Sequence, residues 1–368
     1  MKISVLSENL KKGIGIAIRG ISSRVQLPVL ATILISAGKD GLTLSTTDLE
    51  LSFKVKVRAK VTEDGQMAIP GKLLADLVAT LPAGTVELST EKDALIVSGD
   101  QVKVEIMGQS ASEFPSLPIA TGKGITLDVA EFDKKIERIG IAAARDDSRP
   151  VLSGLLWLVS GKGLTLVATD GYRLGIDKLK KVTAETMEDG QKFILPVKAV
   201  LELSRVLEPA MKEIMVEFDR EKQQVIFIAG QIEMSSRLIA GEFPPYSSVI
   251  PTEKKVSAIF NREMLIEAVR RASLFAAASA NVVKLEVSEE GLVVTARSDQ
   301  VGKSQSTLPV ELTGESVTIA FNAKYLLDYL GVVEDEMVTM ETEGALRPVV
   351  FRLVDDDFVH VIMPVRLQ

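Results

Sequence analysis

Three consecutive α+β domains of one plan, each with two helices laid on antiparallel sheets, are what this sequence predicts. Three observations predict it: a repeat of about 120 to 130 residues, a helix-period apolar stripe opening each repeat, and short alternating strands through the remainder. The boundaries that follow are residues 1–122, 123–252 and 253–368, each of ordinary domain size.

The repeat rests on three landmarks. A turn leading into an apolar strand occurs as Lys39-Asp-Gly-Leu-Thr-Leu44, as Gly161-Lys-Gly-Leu-Thr-Leu166 and, more loosely, as Glu290-Gly-Leu-Val-Val294. A strand running into a helix occurs as Ala68-Ile-Pro-Gly-Lys72, Ile194-Leu-Pro-Val-Lys198 and Ala320-Phe-Asn-Ala-Lys324, with Pro70, Pro196 and Asn322 spaced 126 residues apart. Proline and asparagine both suit a helix start. Phe114-Pro115, Phe243-Pro244 and Met363-Pro364 close the three units.

Each unit opens with a helix candidate. Leu6, Leu10, Ile14, Ala17, Ile18 and Ile21 fall at three- and four-residue steps, as do Phe132, Ile136, Ile139 and Ala143, and Leu265, Val269 and Ala272. Asp128 with Glu131 makes a capping box for the second. The first is ambiguous, because Gly13-Ile-Gly-Ile-Ala-Ile18 also alternates with period two and glycine disfavours helix interiors; its place in the repeat decides for helix. In the first unit the strands are expected at 42–44, 51–59, 86–88, 95–98 and 102–107.

Composition narrows the chemistry. With 368 residues and 46% hydrophobic content the chain can bury two or three cores. No cysteine is present, which removes disulfides and thiolate metal sites, and the single histidine, His360, reads as a strand residue. Asp146-Asp147 and Asp355-Asp-Asp357 read as solvated carboxylates, and no phosphate-cradling glycine loop occurs. An enzyme is therefore not expected, and no cofactor or metal is implied. Neither a signal peptide nor a run of roughly 18 apolar residues is found, so a cytoplasmic location without membrane contact is expected.

The formal charge of −7 argues at first against nucleic acid. Its distribution answers that objection: the six helix candidates together carry +5 and the rest of the chain −12. A weakly basic helical face suits contact with DNA that must not become a grip, because each neutralised phosphate adds salt-sensitive affinity. A scaffolding repeat protein without a DNA role is the competing reading.

Over its entire length the chain resembles the beta subunit of bacterial DNA polymerase III. Leu27-Pro-Val-Leu30, Thr47-Asp-Leu-Glu50, Phe114-Pro-Ser-Leu117, Val167-Ala-Thr-Asp-Gly-Tyr-Arg-Leu174, Phe243-Pro-Pro-Tyr246 and Met363-Pro-Val-Arg-Leu367 carry the resemblance, in order and at repeat spacing. It implies the DNA clamp fold, and a head-to-tail homodimer closing a six-domain ring around double-stranded DNA without sequence preference. The implied partners are the polymerase III alpha subunit, an ATP-driven clamp loader and other replication or repair proteins carrying clamp-binding peptides. By the same resemblance, dimer contacts map to Val104, Ile106, Leu274 and Phe275, and DNA contacts to Arg24, Arg149 and Lys198. The partner-peptide cleft maps to Leu152, Thr169, Gly171, Tyr172, Arg173, Leu174, Pro244, Val249, Leu346, Val361, Ile362, Met363, Pro364, Val365, Arg366 and Leu367, with Arg173 and Arg366 holding polar peptide groups. Three departures touch that cleft. Ser247 and Ser248 stand where some relatives carry arginine. Arg297-Ser-Asp-Gln300 replaces the Thr-Asp-Gly-Tyr pattern in the third repeat, and Gln368 extends the usual ending.

Overall fold

Leu10, Ile14 and Ala17 line up on one buried stripe, and that stripe settles the ambiguous opening segment: Ser7–Ala17 is an α-helix, α1, continued by a single 3-10 turn over Ile18–Gly20. Gly13 sits inside it because the sheet comes too close for a side chain. A Cβ there would lie 2.4 Å from the Val57 side chain. Burying Leu10 and Ile14 in the core stabilises by about 1.5–3 kcal/mol each, more than the roughly 1 kcal/mol a helical glycine costs. The computed structural model describes residues 1–368 except 22–26, 101, 147, 161–162, 184–188, 220, 279, 355 and 367–368.

The other helices are α2 (Gly71–Thr80), α3 (Val129–Gly140), α4 (Val197–Ser204), α5 (Arg262–Ala276) and α6 (Ala323–Val332). Pro70 and Asn322 occupy N-cap positions, and the Asn322 side chain accepts a hydrogen bond from the Lys324 N–H. α3 is shorter than its apolar periodicity: it stops at Gly140, and Ala142 and Ala143 continue as tight turns bonded to Ile139 and Gly140. The Glu131 carboxylate in the first turn of α3 accepts the backbone N–H groups of Lys180 and Lys181.

The residues gather into two units, Met1–Ala130 with Thr183–Thr186 and Lys198–Leu238, and Glu131–Val182 with Met187–Val197 and Ile239–Gln368. In the first, a five-stranded sheet runs β5 (Ala59–Glu63), β1 (Lys2–Leu6), β7 (Thr85–Glu91), β8 (Ala94–Gly99), β9 (Val102–Met107). A nine-stranded sheet runs β14 (Val182–Thr183), β10 (Ile125–Asp128), β16 (Glu213–Asp219), β17 (Gln224–Ala229), β18 (Ile232–Arg237), β4 (Leu51–Val57), β3 (Gly41–Thr47), β2 (Thr32–Gly38), β6 (Gly65–Pro70). The second unit holds another nine-stranded sheet, β15 (Lys192–Pro196), β11 (Gly154–Ser160), β12 (Gly163–Thr169), β13 (Arg173–Leu179), β27 (Val359–Ile362), β26 (Val349–Arg352), β25 (Met337–Thr342), β19 (Val256–Asn261), β23 (Glu311–Gly314). Its last sheet runs β22 (Gly302–Leu308), β21 (Gly291–Ser298), β20 (Val282–Ser288), β24 (Val317–Asn322). All strand pairs of known register are antiparallel, and helices α1 with α2 and α5 with α6 pack on them.

The sheets do not stop where the sequence repeats stop. β4 of the first repeat pairs with β18 of the second, Met234 opposite Phe53, and β13 of the second pairs with β27 of the third, Leu174 opposite Val361. Both junctions join the same two hairpins of the repeat, β3–β4 to β17–β18 and β12–β13 to β26–β27. The corresponding hairpins left over are β8–β9 and β21–β22, and β9 and β22 each end a sheet. No helix among the described residues is long and apolar enough to cross a membrane.

Candidate partner-peptide site

The turn between β12 and β13 is built by two side chains. Thr169 Oγ1 donates to the Arg173 carbonyl (2.7 Å) and accepts from the Gly171 N–H (3.0 Å), while Asp170 Oδ1 accepts from the N–H groups of Tyr172 (2.8 Å) and Arg173 (3.0 Å). These side chains replace a backbone turn. Gly171 takes φ +91°, and Leu49 stands at +77° in the matching turn of the first repeat. Thr47 and Asp48 there make the same bonds to Leu49, Glu50 and Leu51. At Gly171 there is a further reason for glycine: a Cβ would come within 3.3 Å of the Arg149 guanidinium.

Beneath this turn lies a cavity of about 300 Å³, within the range of small-ligand pockets. Leu152, Leu174 and Val361 are its buried apolar floor, and Thr169, Gly171, Tyr172 and Arg173 form the wall on the turn. Pro244 and Val249 close it from the Phe243-Pro244 connector, and Met363 from the chain's last segment. Tyr172 is 61% and Met363 36% exposed, so two large side chains stand at the mouth with apolar surface facing water. Two backbone bonds anchor the last segment: the Met363 N–H to the Tyr172 carbonyl and the Val365 N–H to the Ala320 carbonyl, both 2.8 Å.

The remaining cleft residues fall elsewhere. Ile362 is buried on the opposite face of β27 from Val361. Pro364, Val365 and Arg366 continue beyond the cavity lining, and Leu346, 60% exposed, follows β25 outside it. Leu367 and Gln368 lie outside the described residues. Ser247 and Ser248 sit exposed in a 3-10 turn. Pro245 and Tyr246 line the cavity and were missed, although the Pro-Pro-Tyr run was visible beside Pro244; burial raises the pKa of the Tyr246 hydroxyl, keeping it a neutral donor.

Arg149, mapped to DNA, also lines this cavity, and its guanidinium donates to the Asp170 carbonyl at 3.1 Å. Lys198 is exposed on α4, and Arg24 lies outside the described residues. Of the dimer positions, Val104 is half-buried and Ile106 buried on the inward face of β9, in the first unit's core. Met107 at the end of that strand is 64% exposed. Leu274 is 75% exposed near the end of α5, and the Phe275 ring lies beside Gly302, where β22 begins.

The comparisons with known proteins fall along this architecture. Models of the DNA polymerase III beta subunit match all three repeats: its N-terminal domain over residues 1–118, its central domain over 126–245 and its C-terminal domain over 247–366. The chain belongs to the DNA polymerase III beta subunit family. Among its relatives, the beta sliding clamp of Staphylococcus epidermidis is 30% identical, with 95% of each chain covered. The solved sliding clamp of Bacillus subtilis superposes over 100% of both chains with a TM-score of 0.94 at 27% identity. The beta subunit of Thermotoga maritima does so with 0.91 at 28%. The chain is thus a DNA sliding clamp, a processivity factor in replication. The α+β architecture read from the repeats, with helices over antiparallel sheets, stands.

Proposed function

We propose that two copies of this clamp close head to tail into a ring around duplex DNA, and that the cavity under the Thr169–Arg173 turn receives an apolar peptide from polymerase, loader and repair partners. The observation that carries the ring is the repeated junction. Two of the three equivalent hairpin pairings are made within the chain, and the unused pair, β22 and β9, sits at sheet ends. An open edge strand is a template for another chain. A head-to-tail contact that closes after two copies gives a ring and leaves no free edge at that junction. Leu274 and Phe275 beside β22 and Met107 on β9 supply apolar surface for it.

Such a clamp acts by topology and catalyses nothing. Loaded on a nicked circle, it stays through gel filtration in high salt and is lost within minutes of linearising the circle. Equal retention on both, or loss from the intact circle, would refute the ring. Lys198, Arg24 and Arg149 are the proposed DNA contacts, weak enough to permit sliding. The site of action is the cytoplasm, where the chromosome of a bacterium lies.

The cavity reading makes its own prediction. Met363→Arg places a charge at the apolar mouth and lowers affinity for a fluorescein-labelled copy of the alpha subunit's clamp-binding peptide by about a hundredfold, roughly 2.7 kcal/mol. Dimer formation, read by analytical ultracentrifugation, stays unchanged. Peptide binding at wild-type strength would remove the cavity from consideration.

A further inference from the structure

Arg173, mapped to the cleft as a holder of polar peptide groups, lines the cavity but is itself held from behind. Its side chain is only 3% exposed. Nε donates to Asp170 Oδ2 at 3.1 Å, Nη1 donates to Asp328 Oδ2 at 2.8 Å, and the guanidinium lies 4.4 Å from the centre of the Tyr325 ring. Two carboxylates and an aromatic face thus hold it. Asp170 already organises the turn through the N–H groups of Tyr172 and Arg173. Asp328, one turn from Tyr325 on α6, therefore ties that turn to a helix of the third repeat. In the first repeat Leu51 occupies the place of Arg173, so the matching turn there has no such tie.

We propose that Asp328 is a positioning residue for the partner-peptide cleft: through Arg173 it fixes the turn that carries Tyr172, and it makes no contact with the peptide itself. The inference rests on reading the cavity as that cleft. Without the Asp328 carboxylate, Arg173 loses one of its two anchors and gains the freedom to swing into the space lined by Leu174 and Met363. Burial opposes charge on Asp328, but hydrogen bonds from Arg173 and Lys324 overcome it and hold the carboxyl below the ordinary range, so the anchor is an anion at neutral pH. Lys324, itself 52% exposed, approaches Asp328 at 3.0 Å from the solvent side and is a bystander to the cleft.

The test measures anisotropy of the same fluorescein-labelled alpha-subunit peptide on the intact clamp. Asp328→Asn, which keeps shape and removes charge, weakens binding about tenfold, the size expected for losing one charge-assisted hydrogen bond. Arg173→Ala weakens it at least as much, and the double variant is no weaker than Arg173→Ala alone, because Asp328 acts only through Arg173. Asp328→Glu recovers most of the affinity, and Lys324→Ala stays within about twofold of wild type. A purely structural role predicts a lowered melting temperature with additive losses. Additive losses, wild-type binding by Asp328→Asn, or an equal loss in Lys324→Ala overturn the positioning role while leaving the cleft intact. Undiminished binding by Met363→Arg instead overturns the cleft reading and this inference with it.

Discussion

Arg138→Met is expected to destabilise the clamp by about 3–5 kcal/mol, the cost of leaving a buried charge without its partner. Arg138 lies on α3 with its side chain 2% exposed, facing the fully buried carboxylate of Asp177, to which Nε donates. Its other donors form a two-pronged contact with Asp356, Nη1 to Oδ2 at 2.8 Å and Nη2 to Oδ1 at 2.7 Å, and the guanidinium stands 4.8 Å from the centre of the Phe358 ring. One arginine therefore joins α3, β13 and the segment before β27. Asp356 is 26% exposed and keeps access to water, so it tolerates the loss. Asp177 does not: with Arg138 gone, Lys135 at 3.3 Å and the Lys178 N–H at 2.7 Å are its nearest compensation. A second variant separates the charge from the geometry. In Arg138→Met with Asp177→Leu both buried charges are absent, and most of the lost stability returns, because a packed apolar pair of similar volume replaces a desolvated ion pair. Urea midpoints of the three proteins decide the matter. A single variant within about 1 kcal/mol of wild type would show that Asp177 is solvated or protonated in the native state.

The same arginine shows where sequence reading stops. The three repeats were legible because they rest on local signals: the apolar steps of α1, α3 and α5, the turn at Gly41 and its copies, and the helix starts at Pro70, Pro196 and Asn322. Arg138 was not, because an arginine two positions from Ile136 reads as the wet side of a helix, and its partners lie 39 and 218 residues away. Asp356, read as one of a run of solvated carboxylates, is 26% exposed and paired with Arg138, which corrects that reading in part. There burial opposes the charge, but Arg138 and the Phe358 N–H overcome it and hold the carboxyl below the ordinary range. The pairing of β4 with β18 was likewise hidden: each strand alternates normally, and nothing in either names the other. In the cleft, Tyr172, Leu174 and Met363 could be mapped by resemblance, whereas Asp328 reads as an ordinary polar position of α6. Its role exists only in the geometry that brings it 2.8 Å from an arginine 155 residues earlier.

The second large effect is expected from pH. His360 is the chain's single histidine, fully buried in β27. Its ring stacks on Tyr329, centroids 5.1 Å apart and planes 15° from parallel, with Phe358 at 6.0 Å. Neither ring nitrogen has a hydrogen-bond partner among the described residues. Burial, with the nearby positive charge of Arg173 adding to it, pushes its pKa down to about 3. The unfolded chain takes up a proton near pH 6.5, and the native protein refuses it until far lower pH. A histidine depressed in this way contributes its full stability above the unfolded value. Below it, the unfolded state gains by about 1.4 kcal/mol per pH unit until the native ring titrates as well. Between pH 6.5 and 5.0, before most carboxylates titrate, the loss reaches about 2 kcal/mol. With one histidine in the chain, that slope has one main source. His360→Phe keeps an aromatic ring in the stack and removes both unpartnered nitrogens, so its urea midpoint is nearly level across the same window and stands above wild type at pH 5.0. A variant that loses stability with wild-type slope would assign the acid sensitivity to the carboxylates and leave the buried imidazole without a part in it.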